Sequence, residues 1–300
     1  DVAFIGWRGM VGATLLERML EMHDFEFIRP TFYVNHPDVL IDLPQALQHA
    51  TITHHYPLNE LSKHTVIVAM KGSEFTQMMH PKLRQTGWKG YWIDAASYLR
   101  QEKESCLILD PINHTQIMHH LKNGTKDFIG PNCTTALLLL ALAGLIRENL
   151  IDWVSTMTYQ AISGAGSSAV SSFFEQLRLI SEHHSNVLSQ IDHAHQLLSS
   201  TTNTDTIAAN LMPWIDNDLG DGTSKEEAKC KQESEKILDQ TFNVDGTCVR
   251  IGSLRCHSQA LTIKLKQHRP LEELEKIITN AHEYIQCVPN EKLATNQYLH

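Results

Sequence analysis

The sequence predicts an α/β protein in two parts. Residues 1–132 read as a parallel-sheet nucleotide-binding domain and 133–300 as a second, α+β domain. Three observations predict it. Short apolar runs alternate with helical patterns from Val2 to about residue 130, as they do in a parallel sheet with crossover helices. A glycine-punctuated turn, Gly6-Trp7-Arg8-Gly9-Met10-Val11-Gly12, follows the first run and opens a helix. After residue 150 the regular alternation stops.

Taken in order, Val2 to Ile5 suits a buried parallel strand. The turn after it is spaced G-x-x-G-x-x-G, and strand, glycine turn and helix together form the Rossmann-like context for holding phosphate. Arg29 to Val34 is the second strand. Its tip carries Val34, Asn35 and His36 rather than an acid that would grip a ribose. Asn35 and His36 offer hydrogen bonds to a 2′-phosphate, and Arg8 is the one firm cation nearby in the sequence. Thr65 to Met70 is a strand, Lys71-Gly72-Ser73 its turn and Glu74 to Arg84 its helix. Tyr91 to Asp94 and Cys106 to Pro111 read as further strands, the latter turned by its proline.

The chemistry centres on Gly130-Pro131-Asn132-Cys133-Thr134-Thr135. Pro131 favours an extended entry, Asn132 is a good N-cap, and Cys133 falls in the first helical turn. Unpaired N–H groups and the helix dipole there favour a thiolate, the nucleophilic form. Trp153 to Gln160 alternates like a strand and runs into the small-residue turn Ala161 to Ser168, where backbone can approach a ligand. Residues 171–200 read as a solvated, histidine-rich helix. His193-x-His195 lacks ligand partners at metal spacing, so no metal is expected. Lys225 to Lys236 is a charged helix. Cys248 to Leu254 and His257 to Leu265 read as two antiparallel strands, and Pro270 starts a last helix. Two arginines and a histidine, Arg250, Arg255 and His257, cluster within eight positions. Strand alternation would let Arg250 and His257 face one cleft, the arginine as a carboxylate fork and the histidine as a proton carrier, although the turn between them leaves the parity open.

The bulk numbers limit the alternatives. A net charge of -9 without a basic block argues against nucleic-acid binding. No apolar run reaches membrane-spanning length. Six scattered cysteines without a C-x-x-C pair suit a reduced, cytoplasmic protein. Both ends read as cut: Asp1 opens on a strand, and His300 closes no element.

Seven ordered blocks carry a resemblance over essentially the whole chain. They are residues 4–12 and 90–97, Asn132-Cys133-Thr134, Asp152 to Ser155, Thr158 to Ala161, Pro213 to Asp216, and Leu254 to Ala260. The chain resembles bacterial aspartate-β-semialdehyde dehydrogenases of the enterobacterial-like branch. The resemblance implies NADPH-dependent reduction of aspartyl phosphate to the semialdehyde and phosphate, in lysine, methionine and threonine biosynthesis, by a homodimer. It implies Cys133 as nucleophile, His257 as general acid/base and Gln160 as the residue positioning the thioacyl intermediate. It implies substrate contacts from Arg250 (carboxylate), Glu233 (amino group), Arg100 and Lys236 (phosphate) and Asn132. It implies cofactor contacts from Gly6, Arg8, Gly9, Met10, Val11, Gly12, Asn35, Gly72, Ser163 and Gly164. The chain departs from the family pattern at Val34-Asn35-His36 and at Gly164-Ala165-Gly166-Ser167-Ser168. The family pattern also continues past His300 with a strand and a helix. Three other readings compete: a related acyl-phosphate reductase such as N-acetylglutamyl-phosphate reductase, a non-catalytic dimer partner, and a metal protein built on Cys230, Cys248 and Cys256.

Overall fold

The computed structural model describes residues 1–35, 43–183, 185, 192, 196–198 and 206–288. The readings made of His36, His184, His193 and His195 lie outside them. Seven strands form one parallel sheet in the order β3-β2-β1-β4-β5-β7-β6. They are β1 (Val2–Ile5), β2 (Pro30–Val34), β3 (Thr51–His54), β4 (Val66–Ala69), β5 (Tyr91–Asp94), β6 (Ser105–Leu107) and β7 (Asp127–Ile129). The connecting helices are α1 (Met10–Glu21), α2 (Leu58–Leu61), α3 (Ser73–Gln85) and α4 (Asp110–Lys122). The central strands are apolar because both faces are covered: Ala3 and Ile5 face one core, Val2 and Phe4 the other. The strand order reverses between β1 and β4, so the crevice for a ligand lies beyond the carboxyl ends of these strands.

A second sheet has the order β11-β8-β10-β9, from β8 (Ile151–Gln160), β9 (Leu211–Met212), β10 (Val244–Ile251) and β11 (Ser258–Leu265). Here the structure corrects the sequence reading. β10 and β11 run in opposite directions but do not pair. β8 lies between them, parallel to β10 and antiparallel to β11. Pro111 is corrected too: it sits in the first turn of α4, where its missing N–H costs nothing, and β6 ends earlier at Leu107. β3 and α4 were absent from the reading. β3 is a half-exposed edge strand, and α4 has no apolar stripe strong enough to announce a helix.

The longer helices after the first sheet are α5 (Cys133–Arg147), α6 (Ser167–Glu182), α7 (Lys225–Leu238) and α8 (Leu271–Thr279). α5 joins the two sheets. Leu138, Leu139, Leu142 and Leu145 share one core with Ile67 and Trp92 of the first sheet and Val154 and Val244 of the second. Each such leucine contributes roughly 1.5–3 kcal/mol by burial. Gly144 lets α8 approach: a Cβ there would lie 2.1 Å from the Ile277 carbonyl oxygen. Among the described residues no helix is long and apolar enough to cross a membrane.

Gly144→Ala should therefore force α5 and α8 apart and cost about 1–3 kcal/mol, the usual range for overpacking. Thermal or denaturant unfolding reads this as a lowered midpoint. An unchanged midpoint would mean that the helix contact is not a tight constraint.

Candidate active site

Cys133 is the first residue of α5, and Asn132 caps it. The Asn132 Oδ1 accepts from the Thr134 N–H (2.9 Å), the Thr135 N–H (3.3 Å) and the Thr134 hydroxyl (2.7 Å). Its Nδ2 donates to Glu226 (2.9 Å), and its own backbone N–H donates to Glu233 (2.5 Å). The asparagine is thus buried with its backbone N–H and both side-chain polar atoms engaged, while the next residue, Cys133, is exposed and opens into a cleft of about 900 Å³. The thiol does not behave as the helix dipole alone suggests. Burial of its surroundings pushes its pKa up, and the Glu226 carboxylate adds to this. The Thr134 N–H, Arg250 and Arg100 oppose the shift without reversing it. In the free protein Cys133 is a neutral thiol at pH 7.

The same cleft is lined by Gln160, Arg250 and His257, brought together from β8, β10 and the entry to β11. One peptide unit orients two of them. The Ala161 N–H donates to Nδ1 of His257 (2.9 Å), and the Ala161 carbonyl accepts from Nη1 of Arg250 (2.8 Å). Burial, reinforced by Arg250, lowers the His257 pKa, so the ring is neutral at pH 7. With Nδ1 occupied as an acceptor, the proton of the neutral ring sits on Nε2. Gly164 lies against this pair: a Cβ there would come within 2.9 Å of the Arg250 guanidinium and 3.1 Å of the His257 ring. Gln160 is buried, and its amide donates to the Thr158 hydroxyl and to Glu226, both at 3.2 Å. Arg100 also lines the cleft. It donates to Gly130 O (2.9 Å), Ala95 O (3.0 Å) and Glu233 (3.0 Å). Three of its five N–H donors are thereby used, and two are left.

Two expected substrate contacts are not in the cleft. Glu233 is 1% exposed, with both oxygens engaged by Arg100 and the Asn132 N–H. Lys236 donates to Arg100 O (2.7 Å), Glu102 O (2.7 Å) and the Ser105 hydroxyl (3.0 Å), which uses all three ammonium donors. The pair that lines the cleft is Glu226 and Lys229, seven residues earlier on α7. The helix carries Glu-x-x-Lys twice, one heptad apart, and the sequence reading took the second copy. Lys229 is held between Asp216 (2.6 Å) and Glu226 (2.8 Å). Burial works to raise the Glu226 pKa, but Lys229, Asn132 and Gln160 outweigh it and keep the carboxylate ionised.

The cofactor side lies at the ends of β1 and β4. Gly6 has φ +80°, and a Cβ on it would strike the Met70 carbonyl at 2.7 Å. Gly12 packs α1 onto Trp7, with a Cβ position 2.4 Å from the Trp7 Cα. The α1 N-terminus has no side-chain cap and no acidic residue in its first turn, so its N–H groups are free for an anion. This cradle fits a dinucleotide pyrophosphate. Met10, Val11, Ser163 and Gly164 line the large cleft, whereas Gly6, Arg8, Gly9 and Asn35 line a neighbouring cavity of about 280 Å³. Gly12 and Gly72 line neither; Gly72 serves the turn into α3 with φ +93°. Lys71 joins Arg8 in the smaller cavity, resting over the Tyr56 ring at 4.4 Å and donating to its hydroxyl at 3.0 Å. Among the described residues, no group of three or more His, Cys, Asp or Glu side chains is arranged to hold a metal.

Comparison with known proteins decides the family. Residues 1–120 match the family model described as semialdehyde dehydrogenase, NAD binding domain, and residues 142–299 match semialdehyde dehydrogenase, dimerisation domain. A solved aspartate semialdehyde dehydrogenase from Francisella tularensis is 43% identical, covering all of this chain and 85% of its own, with TM-score 0.92. This chain belongs to the aspartate-semialdehyde dehydrogenase family. An aspartate semialdehyde dehydrogenase II from Vibrio cholerae, solved with ASA, is 22% identical over 93% of this chain and 78% of its own, with TM-score 0.76. A probable aspartate-semialdehyde dehydrogenase from Pseudomonas aeruginosa is 16% identical over 92% and 77%, with TM-score 0.72. These two show the shared fold.

Within this family member, the sequence reading assigned no role to Glu226, Lys229 and Arg255, which line the cleft, or to Lys71, which lines the smaller cavity. The signal for the first two was present as the earlier Glu-x-x-Lys copy beside the Ser224 capping box. Lys71 and Arg8 come from different strand ends, so no local motif links them.

The raised thiol pKa sets a testable pH dependence. Iodoacetamide labelling of the Cys133 peptide, followed by mass spectrometry, should be slow at pH 7 and rise with a midpoint above the ordinary thiol value of about 8.5. A midpoint below that value would show that the helix N-terminus outweighs burial and Glu226.

Proposed function

We propose that the protein reduces L-aspartyl 4-phosphate to L-aspartate 4-semialdehyde with release of phosphate, using NADPH and a thioacyl intermediate on Cys133. The observation that carries this reading is one cleft holding an exposed cysteine at a helix start together with separate groups for a carboxylate, an ammonium and a phosphate. Four cations (Arg100, Lys229, Arg250, Arg255) and two carboxylates (Glu17, Glu226) line it, on a chain of net charge -9. Such local reversal of sign draws in an anionic substrate.

Each group has a task that its chemistry suits. Arg250 grips the substrate carboxylate, for which its planar fork is shaped. Glu226, kept ionised, faces the substrate ammonium. Arg100, with two donors left, and Lys229 meet the phosphate. The Cys133 sulfur, once deprotonated, attacks the acyl carbonyl; the C–S bond forms, the acyl C–O bond breaks and phosphate departs. Gln160 holds the resulting thioester. When bound, the nicotinamide ring supplies hydride to that carbonyl. The Nε2–H of His257 donates a hydrogen bond to the oxygen as negative charge develops there and so holds the oxyanion. Collapse of that tetrahedral oxyanion re-forms the carbonyl, breaks the C–S bond, expels the Cys133 sulfur as thiolate and frees the aldehyde.

Arg8, Lys71 and Asn35 support the choice of NADPH, since the described lining of their cavity holds two cations and no carboxylate. The outer face of the second sheet supports a homodimer. It exposes Trp153, Met157 and Tyr159 on β8 beside Ala260 and Thr262 on β11, a continuous patch of the kind that marks an interface. All six cysteines are free, which accords with a cytoplasmic setting.

Purified protein should oxidise NADPH with aspartyl phosphate as acceptor, and faster reduction of N-acetylglutamyl phosphate would overturn the substrate assignment. Cys133→Ser should abolish turnover with the fold kept, since retained turnover would remove the cysteine from the chemistry. Arg250→Lys should raise the KM or lower kcat by about tenfold or more, because an ammonium cannot reproduce the fork. Lys71→Ala should weaken the binding of 2′,5′-ADP, measured calorimetrically, far more than that of 5′-AMP. Equal loss for both would deny Lys71 a part in reading the 2′-phosphate.

A further inference from the structure

The hinge that delivers Cys133 is Gly130-Pro131-Asn132, between β7 and α5. Pro131 has no N–H, so the hinge offers few backbone groups by which it can be held. Two of them are taken by one buried ion pair. Arg100 Nε donates to Gly130 O at 2.9 Å, and Glu233 Oε2 accepts the Asn132 N–H at 2.5 Å. Arg100 Nη1 and Glu233 Oε1 close the ring at 3.0 Å. Arg100 Nη2 extends the hold to Ala95 O, beyond the end of β5. Lys236, one turn beyond Glu233 on α7, fastens the Arg100 carbonyl from the same side at 2.7 Å. Both charges are nearly sealed from water: the side chains are 10% and 1% exposed.

We infer that Glu233 is a positioning residue that fixes the Cys133 turn and the Arg100 guanidinium as one rigid unit, and does not touch substrate. The inference rests on Cys133 and Arg100 being the nucleophile and an anion contact of the proposed reaction. It explains why α7 carries Glu-x-x-Lys twice. The first copy faces the cleft; the second holds the hinge and Arg100 from behind. Geometry gives the reason for an acid here. Only a carboxylate accepts at both oxygens, and both are needed: one for a guanidinium N–H, the other for a backbone N–H. It also sets the charge at the site. Glu233 neutralises Arg100, which lies close enough to Cys133 to stabilise its thiolate. Removing the glutamate charge exposes the sulfur to an uncompensated cation while loosening the turn that aims it.

The test compares wild type, Glu233→Gln and Glu233→Asp in the full chain. Glutamine keeps one acceptor and loses the charge; aspartate keeps the charge but is one methylene too short to reach both partners. The readouts are kcat, the pH midpoint of iodoacetamide labelling at Cys133 and the melting temperature. Both variants should lose kcat by about 10- to 100-fold, the scale on which small misplacements of reacting groups act. In Glu233→Gln the labelling midpoint should move down, a change that a merely structural role does not produce. In Glu233→Asp it should stay near wild type. Labelling needs no substrate, so it reports on the hinge even if the proposed substrate is wrong. If Glu233→Gln does not fold, kcat of Glu233→Asp decides. Wild-type kcat in a folded variant, whatever its melting temperature, overturns the inference.

Discussion

Asn132 is the constraint on which the site depends. Its side-chain oxygen starts α5, its side-chain nitrogen reaches Glu226, and its backbone N–H reaches Glu233. No atom of this residue that can hydrogen-bond in those directions is spare. The next residue is therefore presented to the cleft with little freedom, although it sits at a helix end, where chains ordinarily fray. The same helix then runs between the two sheets on buried leucines. Cys133 is consequently referenced to the core of both halves of the protein.

The electrostatics of the site show why placement matters more than intrinsic reactivity. A helix N-terminus lowers a cysteine pKa when nothing opposes it. Here burial and Glu226 oppose it, and the thiol is held in reserve. Glu226 serves the ammonium end of the proposed substrate, so the feature that depresses nucleophilicity in the empty cleft is also the one a cationic group would neutralise. His257 follows the same logic. The Ala161 N–H fixes its tautomer, and burial, reinforced by Arg250, lowers its pKa, which suits a hydrogen-bond donor to a developing oxyanion more than a base for the cysteine.

Much of this was legible in the sequence where one physical cause dominates. The strands at Val2–Ile5, Val66–Ala69 and Tyr91–Asp94 declare themselves because a parallel strand buried on both faces must be apolar. The cap at Asn132 was legible because proline, cap and cysteine are adjacent. What was not legible depended on distance or on choice between equals. β3 is an edge strand with little burial to mark it. The insertion of β8 between β10 and β11 is a matter of pairing, which strand patterns do not record. Glu226 and Glu233 share a residue type, a helix face and a lysine three places on. Only the packing of α7 against Asn132 tells them apart.

In the proposed reaction Cys133 carries the acyl group between two half-reactions, and trapping that group tests this. The protein would be mixed with aspartyl phosphate in the absence of nicotinamide cofactor, quenched in acid and digested. About one phosphate per site should be released in a burst, and the peptide bearing Cys133 should gain the mass of one aspartyl group, labile to hydroxylamine. An unlabelled Cys133 peptide alongside that burst, or an aspartyl group found on another residue, would contradict it.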